Sequence, residues 1–133
     1  MKRELIAPCG MNCNLCSWML DPTKPNCIGC RPRERGCVHK KGLCPKLAKQ
    51  EIDFCYKCAE FPCASLLLIE ERYNRAHNYS FIENLRFIQS RGMPAFLDRE
   101  IKRYTCTECG NYLTVHNDKC PHCGHRFNRK DRR

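Results

Sequence analysis

Cysteine recurs in five Cys-x-x-Cys pairs within 133 residues: Cys13/Cys16, Cys27/Cys30, Cys55/Cys58, Cys106/Cys109 and Cys120/Cys123. Two intervening residues let one tight turn aim both sulfurs at a common point, which suits a metal ion held tetrahedrally by thiolates. Cys9, Cys37, Cys44 and Cys63 bring the total to 14. An even count also fits a disulfide framework, whose usual setting is a secreted chain with a leader segment. Residues 1 to 9 carry only a short apolar stretch before Pro8, and no later segment approaches the roughly 20 apolar residues of a membrane span. The expected setting is therefore the reducing cytoplasm, away from membranes. There such pairs serve as metal ligands or redox centres rather than structural cross-links.

Metal ligation also meets a shortage elsewhere in the composition. Leu, Ile, Val and Phe together make 26 of 133 residues, too few for burial alone to offset the conformational entropy of a chain this size. Bound metal supplies part of the stability of such small units. The formal charge is +10, which by itself suggests a polyanionic partner. Each zinc held by four thiolates contributes two negative charges, so three such sites lower the balance to about +4. What survives is local: Arg31, Arg33 and Arg35, then Lys40 and Lys41, and a basic tail over residues 127 to 133 that reads as a solvated terminus.

Residues 1 to 63 hold ten of the cysteines and six prolines, and read as a loop-rich cysteine cluster. Residues 64 to 104 read as a short helical connector. Leu66, Ile69 and Tyr73 share one helical face, and Ser80-Phe81-Ile82-Glu83 is a capping box followed by Leu85 and Ile88. Gly92 ends that helix, and Pro94 opens a third with Leu97, Ile101 and Tyr104 as its apolar stripe. Residues 105 to 126 form a separate unit in which Tyr112-Leu113-Thr114-Val115 reads as a strand. The expected fold is a small metal-stabilised α+β protein: cysteine cluster, helical connector and C-terminal zinc-ribbon β-hairpin.

Within that ribbon Cys106, Cys109, Cys120 and Cys123 form a four-thiolate site, with Gly110 and Gly124 relaxing the backbone where positive φ is needed. The nearby His116, His122 and His125 read as exposed turn residues, because four cysteines already fill the coordination shell. The N-terminal pairs Cys13/Cys16 and Cys27/Cys30 repeat the ten-residue spacer of the C-terminal unit and suggest a second zinc. Cys37, Cys44, Cys55 and Cys58 can supply a third, leaving Cys9 and Cys63 as spare or exchanged ligands and His39 as a substitute. Ten cysteines admit many partitions, and an iron–sulfur cluster in this half is the alternative, since thiolates serve both metals. The Cys9-x3-Cys13-x2-Cys16 spacing also matches radical enzymes that use S-adenosylmethionine, but 133 residues leave no room for the barrel such enzymes need.

Ala7-Pro8-Cys9-Gly10-x-x-Cys13-x-x-Cys16, Cys27-x-Gly29-Cys30 and Phe54-Cys55-x-x-Cys58-x-Glu60-Phe61-Pro62-Cys63 resemble the cysteine-rich prokaryotic family called domain of unknown function 3795. Glu83-Asn84-Leu85-x-x-Ile88, Gly92, Phe96-Leu97 and the closing Tyr104-x-Cys106-x-x-Cys109-Gly110 with His116 and Cys120-x-x-Cys123-Gly124 extend the resemblance over nearly the whole chain. The stretch from Cys37 to Cys44 departs from the pattern in spacing. The resemblance implies zinc binding and brings no reaction with it.

No His-x-Glu pairing, His-Glu-x-x-His or Gly-rich phosphate loop is present, and thiolate ligand sets are typical of closed structural sites. The reading is a non-catalytic module with two to three zinc ions and a nucleic acid or protein partner. No small-molecule substrate is identifiable. Arg31, Arg33 and Arg35 beside Trp18, Tyr56 or Tyr112 are candidate contacts to single-stranded RNA, although Trp18, inside the cysteine cluster, reads first as core. A thiol-based redox or metal-responsive role for Cys9 and Cys63 stands beside it.

Overall fold

Two long helices and the turn between them position everything else. The computed structural model describes residues 1–21, 23, 27–30 and 44–132, with short helices α1 (Ser17–Leu20) and α2 (Pro45–Ala48) and long helices α3 (Ala64–His77) and α4 (Phe81–Tyr104). Neither Pro nor Gly interrupts α3, which ends where Asn78 adopts the left-handed conformation (φ 51°, ψ 44°). The chain then reverses into α4, whose Ser80 hydroxyl accepts the Glu83 amide at 3.0 Å as the capping box predicts. The second half of that cap comes from elsewhere. Glu70 of α3 accepts the amides of Phe81 (2.8 Å) and Ile82 (3.1 Å) and a hydrogen bond from the Ser80 hydroxyl, placing a carboxylate on the positive end of α4. Glu83 instead turns to Arg99 and Arg103.

Gly92 (φ 84°, ψ 165°) breaks α4 where the sequence predicts a helix end, and Pro94 follows in the first turn beyond it. Before the break, Phe81, Leu85 and Ile88 are buried. Beyond it the core-facing positions are Met93, Phe96, Glu100 and Tyr104, while Leu97 and Ile101 are only half-buried. The expected stripe of Leu97, Ile101 and Tyr104 is thus displaced, because an acidic residue occupies the inner face. Glu100, 1% exposed, accepts from Asn12 Nδ2 (3.3 Å) and from Arg99 (3.2 Å). Burial pushes its carboxyl up from the usual range, and Arg99 and Asn12 pull it back.

The N-terminal loop lies against this face. Ile6, Ala7, Cys9 and Leu15 are fully or almost fully buried in the same core as Leu66, Leu85 and Phe96. Gly10 (φ 89°) passes so close to α4 that a Cβ there would lie 2.6 Å from the Phe81 carbonyl oxygen. Its own carbonyl accepts from Asn84 Nδ2 at 3.0 Å and from the Tyr79 hydroxyl at 3.3 Å. The same hydroxyl accepts the Asn12 amide at 2.9 Å. Trp18, expected in the core, lies on α1 and is 53% exposed.

The C-terminal unit is not the expected β-hairpin. Among the described residues there is no strand or sheet, only isolated bridges, two of them Thr105↔Tyr112 and Lys119↔Arg126. Tyr112–Val115 forms no strand and spends backbone amides elsewhere: Leu113 donates to the Tyr104 carbonyl (2.7 Å) and Val115 to the Leu15 carbonyl (3.0 Å). Anchoring the segment to the end of α4 and to the N-terminal loop leaves no ladder between the two halves of the unit, so the α+β class gives way to a helix-rich one.

In the described part of the basic tail Lys130 and Asp131 are exposed, while Arg129 and Arg132 dock on the rest of the chain. Residues Arg129–Arg132 form a 3-10 turn, and Arg129 donates to the carbonyls of Ala76 (2.7 Å) and His116 (3.3 Å). Arg132 stacks on Phe127 (4.0 Å) and Tyr104 (4.9 Å) and donates to the Thr114 carbonyl (3.0 Å). No helix among the described residues is long and apolar enough to cross a membrane.

Candidate metal centres

Two knuckles of nearly identical backbone build the C-terminal centre. Cys106 donates its amide to the Asn111 carbonyl (2.8 Å) while Gly110 donates back to the Cys106 carbonyl (2.9 Å). Fourteen residues on, Cys120 donates to His125 (2.9 Å) and Gly124 to Cys120 (3.0 Å). Gly110 (φ 71°) and Gly124 (φ 75°) take the positive φ the sequence predicts. Each knuckle sets one sulfur inside and one outside: Cys106 and Cys120 are buried, Cys109 and Cys123 exposed.

All four sulfurs lie within 4.8 Å of one another. Metal–sulfur bonds of about 2.3 Å in a tetrahedron require sulfurs about 3.8 Å apart. The contacts that cross between knuckles match, Cys106 to Cys123 at 3.7 Å and Cys109 to Cys120 at 3.6 Å. This quartet can hold a metal ion, and every corner of its tetrahedron is a protein thiol. The backbone amide of Asn111, then its side chain (3.6 Å), bring the Cys109 thiol down to about 6, whereas Cys123 stays up at about 12 against the pull of the His125 amide, because partial loss of hydration and the sulfurs of Cys109, Cys120 and Cys106 oppose its ionisation. A divalent cation at the centre would displace both protons, which makes its binding pH-dependent. Asn111 is a ligand-supporting residue that the cysteine spacing gives no hint of.

The histidines stand apart from the quartet. His122 and His125 are exposed, as predicted. His116 is not: it is half-buried, its Nδ1 accepts the Ser17 amide (3.3 Å), and its Nε2 meets the Tyr73 hydroxyl (3.4 Å). Its ring also packs edge-on against Tyr73 and His77. Burial first, then His77 and Arg129, bring it down to about 4. It joins α1, α3 and the C-terminal unit as an uncharged core residue.

In the N-terminal half the cysteines fall into two neighbourhoods. Cys30 donates its amide to the Cys13 sulfur at 3.4 Å, and burial, then Cys13 and Cys27, push the Cys16 thiol up. Cys13, Cys16, Cys27 and Cys30 therefore lie near one another. Cys44, Cys55, Cys58 and Cys63 line a second place, a mainly apolar cavity of about 230 Å³. The sequence grouped Cys37 with Cys44, Cys55 and Cys58 and left Cys63 spare; in the fold Cys63 stands with the latter three. Cys9 is 2% exposed in the core and outside that cavity. Cys37 and His39, like Arg31, Arg33 and Arg35, lie outside the described residues.

Beside the C-terminal centre runs a groove of about 430 Å³. Its wall passes from Lys102 and Arg103 at the end of α4 across Cys106 and Thr107 to His125 and Arg126. No protein-family model, curated protein or solved structure matches this chain.

Proposed function

We propose that the chain is a zinc-binding, non-catalytic module that takes a single-stranded nucleic acid, and that it belongs to the cysteine-rich family its motifs resemble. The observation that carries this reading is the closed tetrahedron of Cys106, Cys109, Cys120 and Cys123 set against the basic groove. Four thiolates leave no coordination position for a substrate or an activated water, so a zinc ion here fixes backbone rather than doing chemistry. What it fixes is one wall of the groove. Lys102, Arg103 and Arg126 bring cationic side chains to that wall and Phe127 brings a ring, the combination by which proteins follow a phosphate backbone and stack bases.

Elemental analysis of protein purified without added metal tests the first part: zinc at the quartet is lost in Cys109→Ser/Cys123→Ser. Fluorescence anisotropy with labelled oligonucleotides tests the second. Affinity is expected to fall steeply with salt, and Lys102→Glu or Arg126→Glu to weaken binding to all sequences alike, with the salt slope reduced by about one for each phosphate contact removed. No binding to any oligonucleotide at low salt rejects the nucleic acid and leaves a protein partner for the groove.

A further inference from the structure

Three chain segments converge on the cavity lined by Cys44, Cys55, Cys58 and Cys63. Cys44 precedes α2 and is held by the Ala48 amide, which donates to its carbonyl at 3.0 Å. Cys55 and Cys58 close a 3-10 turn, with the Cys58 amide on the Cys55 carbonyl (3.0 Å) and the Cys55 amide on the Pro8 carbonyl (2.9 Å). Cys63 opens α3, its carbonyl accepting from Leu66 and Leu67, each at 3.0 Å. Pro45, Ile52, Phe61 and Leu66 supply the apolar lining.

The spread of these thiols differs from that of the C-terminal quartet. There the sulfurs stand at the edge length of one tetrahedral ion. Here, among the described residues, no three of the four lie mutually within 4.8 Å, and the four line a cavity of about 230 Å³, room for more than a single ion. A single ion at bonding distance from four thiolates would draw them together. A cluster in which each iron carries one thiolate holds them apart, because its own irons and sulfides occupy the middle.

Charge and polarity agree. Lys46 Nζ lies 3.5 Å from the Cys58 sulfur and 3.1 Å from the Glu60 carboxylate, so a cation stands at the rim of a site whose four thiolates carry excess negative charge. An apolar wall with one nearby donor is the surrounding that limits water around a thiolate-bound cluster and tunes it.

We propose that Cys44, Cys55, Cys58 and Cys63 bind a polynuclear iron–sulfur cluster, a centre separate from the C-terminal one. Each thiol gives up its proton to solvent and binds one iron. The proposal does not rest on zinc or nucleic acid at the C-terminal unit, and it stands or falls alone.

The test is anaerobic loading of the full chain with ferric iron and sulfide in the presence of a thiol, which supplies the electrons that reduce part of the iron, against parallel samples given the same iron and thiol alone and zinc alone. The expected result is about four iron and four sulfide per chain with broad visible absorption, requiring both reagents. It is lost in Cys55→Ser/Cys58→Ser and kept in Cys9→Ser. Alkylation mapped by mass spectrometry gives a second readout without any variant: the four cavity cysteines should be protected when iron and sulfide are both present, and reactive with iron alone. Four outcomes overturn the proposal: no sulfide-dependent chromophore in the folded chain, one zinc protecting the same four thiols, a chromophore that survives the double variant, or protection mapping to Cys13, Cys16, Cys27 and Cys30 instead.

Discussion

Gly10 packs against Phe81 so closely that a Cβ would stand 2.6 Å from the Phe81 carbonyl oxygen and 2.9 Å from the Leu85 side chain. Both obstacles belong to α4, and the first is backbone that cannot swing aside. Gly10→Ala meets this clash and a φ of 89° together, so a loss of about 3 kcal/mol is expected. Gly110→Ala has positive φ but nothing within 4 Å, and about 1 kcal/mol is expected from strain alone. Urea unfolding of both, with metal held constant, checks the difference.

Arg99 is the partner that makes buried Glu100 tolerable. Its guanidinium bonds the Glu100 carboxylate and lies 4.3 Å over the Phe87 ring. Arg99→Met removes the charge and leaves Glu100 1% exposed beside Asn12, with an expected cost of about 3 kcal/mol. Glu100→Gln in that background should recover part of the loss, since a neutral amide replaces an unpaired charge. The double-mutant cycle measures the coupling, and strictly additive effects count against the pairing.

His116 gives the pH dependence a definite sign. Its folded value lies near 4 against an ordinary 6.5, so the native state refuses a proton that the unfolded chain accepts. Stability from this group is complete above about 6.5 and falls as pH drops toward 4. Zinc-bound thiolates also lose metal in acid. The informative quantity is therefore the difference between His116→Gln and the unmodified chain at each pH, which should shrink as pH falls through this window.

Chelation should act on the C-terminal unit first. Leu113 and Val115 are buried there, yet no sheet among the described residues backs them, and a structural metal ion held by four thiolates can contribute on the order of 10 kcal/mol to so small a unit. Removing the ion is expected to raise amide exchange across residues 105 to 126 and to loosen Arg129 and Arg132, whose acceptors include His116 and Thr114. Exchange measured with and without chelator checks it; unchanged protection at Leu113 and Val115 would show that packing alone holds the unit.

Local features were legible in the sequence because their causes are local. The two knuckles, the positive φ of Gly110 and Gly124, the Ser80 cap and the break at Gly92 depend on residues a few positions apart. The quartet of Cys106, Cys109, Cys120 and Cys123 was readable for the same reason: two turns fix each pair, and one short spacer joins them. The remaining features depend on what packs against what. Glu100 sits on the inner face only because Asn12 and Arg99 reach it. Tyr112–Val115 is no ladder strand because Leu15 and Tyr104 take its amides. The gathering of Cys63 with Cys44, Cys55 and Cys58 follows from the docking of α2 and the start of α3 around one cavity. Spacing determines how a pair of thiols can turn toward an ion, but the choice among ten such thiols is a matter of distance in space, and only the packed helices set that.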